Sequence, residues 1–265
     1  MPGKDLIHDI DFNALYREQC KRSSFGSRTA ADWDRRAEQR NRRDLNSDYN
    51  REFLARVNLE GARTALDIGC GVGNLAIPLA RRLRKVIAMD FSREMLRRLP
   101  ANARRAGVRN IEMFLLSWTD SWKGVPPADV VICSRAMSVE DLRGALEKMN
   151  RQARLRCYLT LHAGGSYLGS NVMELLDRPI EPRPDYIYAV NLLYQMGLRA
   201  RVDFLRSQGG MAYASVGEFL EGIRWRIGPL STKEQKRLRR FYGTLPRDED
   251  GRAKYRHDFE WAMLA

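Results

Sequence analysis

From Arg63 onward the chain alternates two rhythms: apolar runs of strand length, and stretches where apolar residues recur every three or four positions. The runs are Thr64–Ile68, Lys85–Asp90, Asn110–Leu116, Ala128–Cys133 and Leu155–Leu161. Between them the spacing predicts helices over about 74–84, around Met95, Leu96 and Leu99 with Pro100 as a kink, and up to about Arg151 with Leu142, Leu146 and Met149 inside. Strand–helix alternation of this kind predicts a parallel sheet covered on both faces. Arg199–Leu205 reads as a sixth strand, and Arg252–Leu264, where Phe259 and Trp261 alternate with charged residues, as a seventh in a hairpin. The expectation is an α/β fold: a doubly wound, seven-stranded, mostly parallel sheet with an antiparallel last strand.

The flanking segments follow other patterns. Residues 1–60 are polar and helical: a short helix over Asp11–Cys20, a turn-rich break at Ser23–Arg28, then a longer helix capped by Thr29. That second helix carries Trp33, Ala37, Leu45, Tyr49, Phe53, Leu54 and Val57, too few apolar residues for a domain, so 1–60 is expected to cap the main domain, 61–265. Inside that domain, 166–198 reads as a proline-rich lid and a helix ending at Gly197, and 207–251 as a helical insertion with segments at Val216–Leu220 and Thr232–Tyr242.

The apolar pattern breaks most sharply at the end of the first run. Asp67 interrupts it, and Gly69, Gly71 and Gly73 follow at alternate positions with Cys70 and Asn74 among them. Glycines there let the backbone take positive φ and let a ligand approach where a Cβ would collide. A dinucleotide loop is the obvious rival, but its spacing is G-x-G-x-x-G, and Asn74 stands in the third-glycine slot. A carboxylate two residues before the first glycine suits a ligand that brings a cation and would repel a pyrophosphate. The second run closes on Asp90, 23 residues beyond Asp67, placed to accept both hydroxyls of a ribose. The competing role for this strand end is to cap the next helix, which Ser92 also suits.

Thr64–Gly73 resembles motif I of the class I S-adenosylmethionine-dependent methyltransferases, and the resemblance covers about residues 60–165. It implies S-adenosylmethionine as cofactor, with Asp67 toward the methionine ammonium, Gly69, Cys70, Gly71, Gly73 and Asn74 around the methionine backbone, and Asp90 on the ribose. Phe91, Ser92 and Met95 are then candidates beside the adenosine, and Ser134 follows the fourth strand. Many members place an acidic residue at the third strand's end; Ser117 occupies that slot here, with Trp118 beside it and Asp120 near. Trp33-Asp-Arg-Arg-Ala and the stretch from Tyr186-Ile-Tyr to Leu193-Tyr-Gln-Met-Gly are similar to a bacterial and archaeal subgroup, which implies the reaction type without an acceptor.

No acceptor chemistry is written at the fourth strand. The Asn/Asp-Pro-Pro-Tyr/Phe signature of amino-group methylation is absent, Cys133 has no adjacent proline, and Glu140 and Asp141 read as first-turn helix residues rather than ligands of a divalent metal. His162 and Tyr186 are the candidate bases, and Arg135 is placed to hold a carboxylate or phosphate. Trp33, Tyr16, Tyr186, Asn191, Tyr194 and Gln195 are candidates to line an acceptor chamber, because polar groups in an apolar helix need partners.

Composition then narrows the class. With 44% hydrophobic and 30% charged residues the chain is globular, and it holds no apolar run of membrane-spanning length. Its beginning lacks an apolar signal-peptide core, which makes the cytoplasm the expected location. Cys20, Cys70, Cys133 and Cys157 form no C-x-x-C pair, against a structural metal or disulfide frame. Of the net +13, +9 falls within residues 61–160 rather than in a basic tail, and arginine outnumbers lysine 38 to 8. A small-molecule acceptor is therefore the leading expectation. Methylation of RNA or protein through the basic surface is the alternative, with a non-catalytic S-adenosylmethionine-binding protein as the third.

Overall fold

A computed structural model describes residues 6–37, 47–164 and 166–265. Four helices lead in: α1 (Leu6–Asp9), α2 (Phe12–Arg22), α3 (Ala30–Arg36) and α4 (Asp48–Arg56). The alternating core comes next as β1 (Thr64–Ile68), α5 (Ala76–Ala80), β2 (Lys85–Asp90), α6 (Arg93–Arg105), β3 (Ile111–Leu115), β4 (Ala128–Cys133), α7 (Leu142–Gln152) and β5 (Ala153–Ala163). The chain closes with α8 (Ser170–Met173), α9 (Ile187–Gln195), β6 (Val202–Tyr213), α10 (Val216–Ile227), α11 (Thr232–Thr244) and β7 (Ala253–Leu264).

The strands form one seven-stranded sheet in the order β3-β2-β1-β4-β5-β7-β6, parallel from β3 to β5, with β7 antiparallel to both neighbours. The expected fold class holds. Strand order reverses between β1 and β4, so a crevice opens at their carboxyl ends, where ligands of open α/β sheets bind. Side-chain alternation divides the core: Leu66, Ile87, Val131 and Leu161 face α2, α7 and α9, while Ala65, Val86, Ile132 and Met263 face α4, α5 and α6.

Several elements differ from the sequence reading. The Thr29 cap is present, with Asp32 completing a capping box, but the expected long helix is two: α3 ends at Arg36 and α4 begins at Asp48. Leu45, assigned to it, lies outside the described residues. The helix expected over 74–84 shrinks to the five residues of α5, because Gly73 and Asn74 remain in the turn. Pro100 sits inside α6 without ending it.

The largest difference is in the hairpin. β6 continues to Tyr213, so 207–213 is strand and the helical insertion begins only at α10. β7 pairs with β5 from Leu264↔Leu159 to Glu260↔Ala163, but with β6 from Leu264↔Val202 to Ala253↔Tyr213. Leu159 is also the partner of Cys133, the last residue of β4. The register therefore lifts the hairpin past the sheet's carboxyl edge: from Glu260 to Ala253 it runs roughly 23 Å beyond β5 at ~3.3 Å per residue. Its tip carries α10 and α11, which share a second core with Phe25 from the leader and Leu168, Val172 and Leu176 from the lid segment. The reason is local chemistry: Tyr213, Phe219, Tyr242 and Tyr255 pack ring against ring and give the tip its own apolar centre.

Candidate active site

The crevice has two halves, and the glycine turn makes the first. Gly69, Gly71 and Gly73 take φ of +71°, +55° and +98°, the left-handed region that only glycine enters without strain. They do so for different reasons. A Cβ on Gly69 would collide with the Ala136 side chain, and one on Gly73 would lie 2.9 Å from Ile77 Cδ1. One on Gly71 would meet nothing within 4 Å. Gly69 and Gly73 are thus required by packing, whereas Gly71 borders open space.

Two buried polar atoms face this turn without a partner: Asp67 Oδ2 and Asn74 Oδ1. Asp67 is enclosed by protein, with the Ala76 N–H near enough to favour its charged form. Burial, and then the charge of Asp90, push its carboxyl up to about 7. A buried carboxyl with an unpartnered oxygen is costly and is found where a ligand completes it. Asp90 is also raised, mainly by burial, although it accepts the N–H of Gly71 and of Ser92, each at 2.8 Å. The fit to a ligand bearing an ammonium and a ribose rests on these features: an orphan carboxylate oxygen, a second carboxylate at the next strand end, and clear space over Gly71.

The other residues proposed for this half divide. Phe91 is exposed beside Asp90. Ser92 is wholly buried and caps α6, accepting from the Met95 N–H while its hydroxyl donates to Asp34 Oδ1 at 2.5 Å. Asp34 also accepts from the Glu94 N–H, so α3 of the leader is bolted to the start of α6. Met95 is buried under Ala37 and Val72 rather than open to the crevice. Trp33, expected in an acceptor chamber, packs beside that group and meets Trp225 of α10 edge-on, with Arg28 and Arg36 over the Trp225 ring. It joins leader to hairpin tip above the turn. Cys70 is buried and its thiol is raised well above the usual range, mainly by burial.

At β3 the Ser117 hydroxyl and N–H both donate to Asp120 Oδ2, at 2.9 and 2.7 Å, so Asp120 reaches back to the backbone. Trp118 spans from β3 to β4 by donating its indole N–H to the Ala136 carbonyl at 3.1 Å, and packs on Trp122.

The second half lies at the ends of β4 and β5. Arg135 has φ +57°, the one positive φ outside glycine among the described residues. Its N–H donates to Thr160 Oγ1 at 2.9 Å, and its guanidinium lies 4.1 Å from the Tyr49 ring centre and reaches Asn50 Oδ1. The Tyr49 hydroxyl bonds Ser134 Oγ and Thr160 Oγ1, at 2.8 and 2.9 Å. A small cavity beside this cluster is lined by Tyr16, Arg135, Thr160, His162, Tyr167, Arg183 and Trp261. His162 is buried between Tyr167 and Trp261, edge to face at 4.5 and 5.4 Å between ring centres. Tyr16 donates to the Val139 carbonyl, and burial raises its phenol far above the ordinary value.

Three proposed acceptor residues are elsewhere. Asn191 donates to the Ile187 carbonyl one turn back, Tyr194 is half-exposed and stacked on His8, and Gln195 donates to the carbonyls of Ile7 and Ile10. The Gln195 amide and the Tyr194 ring anchor the leader to α9, while the Asn191 amide is satisfied within its own helix, so neither amide needs a ligand. Tyr186 packs against Phe204 and does not line the cavity. The sequence reading missed Tyr49, Thr160, Tyr167 and Arg183. Only Arg183 carried a signal, set between Pro182 and Pro184 in a segment where the prolines fix the backbone.

Among the described residues no group of three His, Cys, Asp or Glu side chains is placed to hold a metal, and no helix is long and apolar enough to cross a membrane. Cys133 is fully buried, its thiol pushed well above the usual range, so it offers no thiolate.

Comparisons with known proteins bear on the family and the fold. A methyltransferase domain model matches residues 65–154. An uncharacterised protein of Haemophilus influenzae is 34% identical over 239 residues, covering 89% of each chain. A 23S rRNA uracil-C5 methyltransferase of Hahella chejuensis is 38% identical over 72 residues, which are 26% of this chain and only 16% of that protein. Among solved structures, a candidate methyltransferase of Bacillus halodurans superposes with a TM-score of 0.55 at 13% identity, covering 81% of this chain and 97% of that one.

Proposed function

Because the chain belongs to the class I S-adenosylmethionine-dependent methyltransferases, we propose that it transfers the methyl group to a small-molecule acceptor bound in the cavity at the ends of β4 and β5. The observation that carries this reading is enclosure: the cavity is walled by Tyr16 of the leader, Tyr167 and Arg183 of the lid segment, and Trp261 of the hairpin. Walls from three separate segments suit a compact ligand better than a polymer.

In this reading Asp67 takes the methionine ammonium and Asp90 the ribose hydroxyls. Gly71 leaves room for the methionine backbone, with Gly69, Cys70, Gly73 and Asn74 shaping the turn, and Trp118 borders the adenine. The bound cofactor supplies a sulfonium-activated methyl group. This chain's own work is then to exclude water and align the acceptor, since orientation alone can supply about 7–11 kcal/mol of a barrier. His162 is the one imidazole on the cavity among the described residues, so it is the candidate to take up an acceptor proton at a ring nitrogen. Methyl-labelled S-adenosylmethionine, incubated with the enzyme and separately with small molecules, RNA and protein from a bacterial extract, tests the reading. Label is expected in the small-molecule fraction; label confined to RNA or protein would refute it. The RNA alternative is supported by the +13 charge and the short rRNA-methyltransferase match, and it requires affinity for mixed RNA that falls steeply with salt.

A further inference from the structure

The small-molecule reading leaves the acceptor's chemistry open. Resting on that reading, we infer that the acceptor is a planar molecule with an oxyanion head, a carboxylate or phosphate, held by Arg135 and Arg183 with its ring against the wall that Tyr167, His162 and Trp261 form.

Charge is the first support. Among the described residues two guanidinium groups and an imidazole line the cavity, and no carboxylate does. Arg183 lies close enough to the Tyr16 and Tyr167 hydroxyls for its charge to act on both, and no carboxylate among the described residues is ion-paired with it. Elsewhere on the surface arginines pair with acids repeatedly, as Arg97 does with Glu94, Arg143 with Glu147 and Arg237 with Asp177. A guanidinium offers parallel N–H donors that match a carboxylate or a phosphate, and Arg183, facing the cavity without an acid beside it among the described residues, calls for an anion.

Backbone strain is the second support. Left-handed φ at a residue with a side chain costs roughly 1–2 kcal/mol, and glycine would remove that cost at position 135. The strain is held by the Arg135 N–H bond to Thr160 and by the Tyr49 ring beneath the guanidinium, which is itself fixed through Ser134 and Thr160. Three segments thus combine to keep an arginine where a glycine would fold more easily. That arrangement aims the side chain at the end of β4, beside the cavity.

Ring geometry is the third. Tyr167, His162 and Trp261 stand at 47° to 69° to one another around the cavity, with centres 4.5 to 6.1 Å apart. Such walls take a flat apolar body by edge-to-face and offset contacts.

The test uses full-length enzyme saturated with S-adenosylhomocysteine, titrated calorimetrically with benzoate, phenyl phosphate and the neutral benzamide. At least one of the two anions is expected to bind about 10- to 100-fold tighter than benzamide, and which one does identifies the head group. Arg135→Gly and Arg183→Gln should each erase that preference, while S-adenosylhomocysteine affinity stays as in wild type and Arg135→Gly unfolds no more easily. Equal binding of the three probes, or anion affinity unchanged in both variants, would overturn the inference. The labelling experiment with extract separates the two levels: label appearing in neutral or cationic small molecules sinks the oxyanion assignment alone, whereas label only in RNA sinks the small-molecule reading beneath it.

Discussion

The two halves of the crevice are built in opposite ways. The half under the glycine turn is contiguous: Asp67 to Asn74 lie in one strand–turn unit and Asp90 closes the adjacent strand. The other half draws Tyr16, Tyr49, Arg135, Thr160, His162, Arg183 and Trp261 from six separate stretches of chain. A common cofactor can be read by one local motif, because its ammonium and ribose do not change from enzyme to enzyme. In the proposed function an acceptor is read by whatever the leader, lid and hairpin bring over the edge, and loops carry such variation at little cost to the sheet.

The contrast is broken most severely at the turn itself. Gly69→Ala and Gly71→Ala impose a similar left-handed strain, but only the first drives a methyl into Ala136. Gly69→Ala is expected to cost about 3 kcal/mol or more, from strain plus overpacking, enough to lower the melting temperature by several degrees. Gly71→Ala should cost about 1 kcal/mol of stability and weaken S-adenosylhomocysteine binding at least tenfold. Parallel thermal unfolding and calorimetry check both. If Gly71→Ala left affinity intact, the open space over that residue would not be the ligand's.

Asp67 sharpens the comparison from the charge side. Asp67→Asn should weaken S-adenosylmethionine binding about 10- to 100-fold, the scale of a charge-assisted bond. The same change should stabilise the ligand-free protein. Its folded carboxyl titrates at about 7 against about 4 when unfolded, so between those pH values the folded chain holds a proton that the unfolded chain lacks. The stability this contributes is fully present below pH ~4 and is lost as pH rises through ~7. The Asn variant should therefore melt higher than wild type at pH 8 and no higher at pH 4. A cationic ligand favours the ionised carboxyl, so wild-type affinity should fall as pH drops below ~7 and binding at pH 6 should release a proton, measurable from buffer-dependent heats. Affinity flat from pH 6 to 8 would exclude Asp67 as the cation's partner.

The legibility of the fold and site follows from the same contrast. The five parallel strands, the antiparallel seventh and the Asp67–Asp90 pair are readable because each is specified by residues close in sequence: an apolar run, a turn glycine, a strand-closing acid. The extension of β6 to Tyr213 is not, since Gln208-Gly-Gly-Met carries no strand pattern and is ordered by pairing with β7. Asn191, Tyr194 and Gln195 do read as polar groups needing partners, yet no local rule says whether the partner is a ligand or the backbone of Ile7 and Ile10. Thr160 shows the limit most clearly. In sequence it is one hydroxyl inside an apolar strand; in the fold it accepts from Arg135 and bonds Tyr49, and so joins the leader to β4.

The smallest expected effect tests whether the halves share a roof. Asp34 accepts from the Ser92 hydroxyl and the Glu94 N–H, and Trp33, one residue earlier, meets Trp225 at the hairpin tip. Asp34→Ala removes a cap from α6 and should cost about 1 kcal/mol of global stability. Its local consequence is larger than its global one, because α3 is held to the domain chiefly through this bolt, the Ala37–Val72–Met95 contact and the Trp33–Trp225 edge. Limited proteolysis in the leader should accelerate several-fold in Asp34→Ala, and S-adenosylhomocysteine should restore protection in wild type more fully than in the variant. If leader cleavage were unchanged by both substitution and ligand, α3 would be a static part of the fold. Protection by ligand that is lost in Asp34→Ala would instead mean that occupancy of the local, motif-built half is felt by the assembled half through the leader, which touches both.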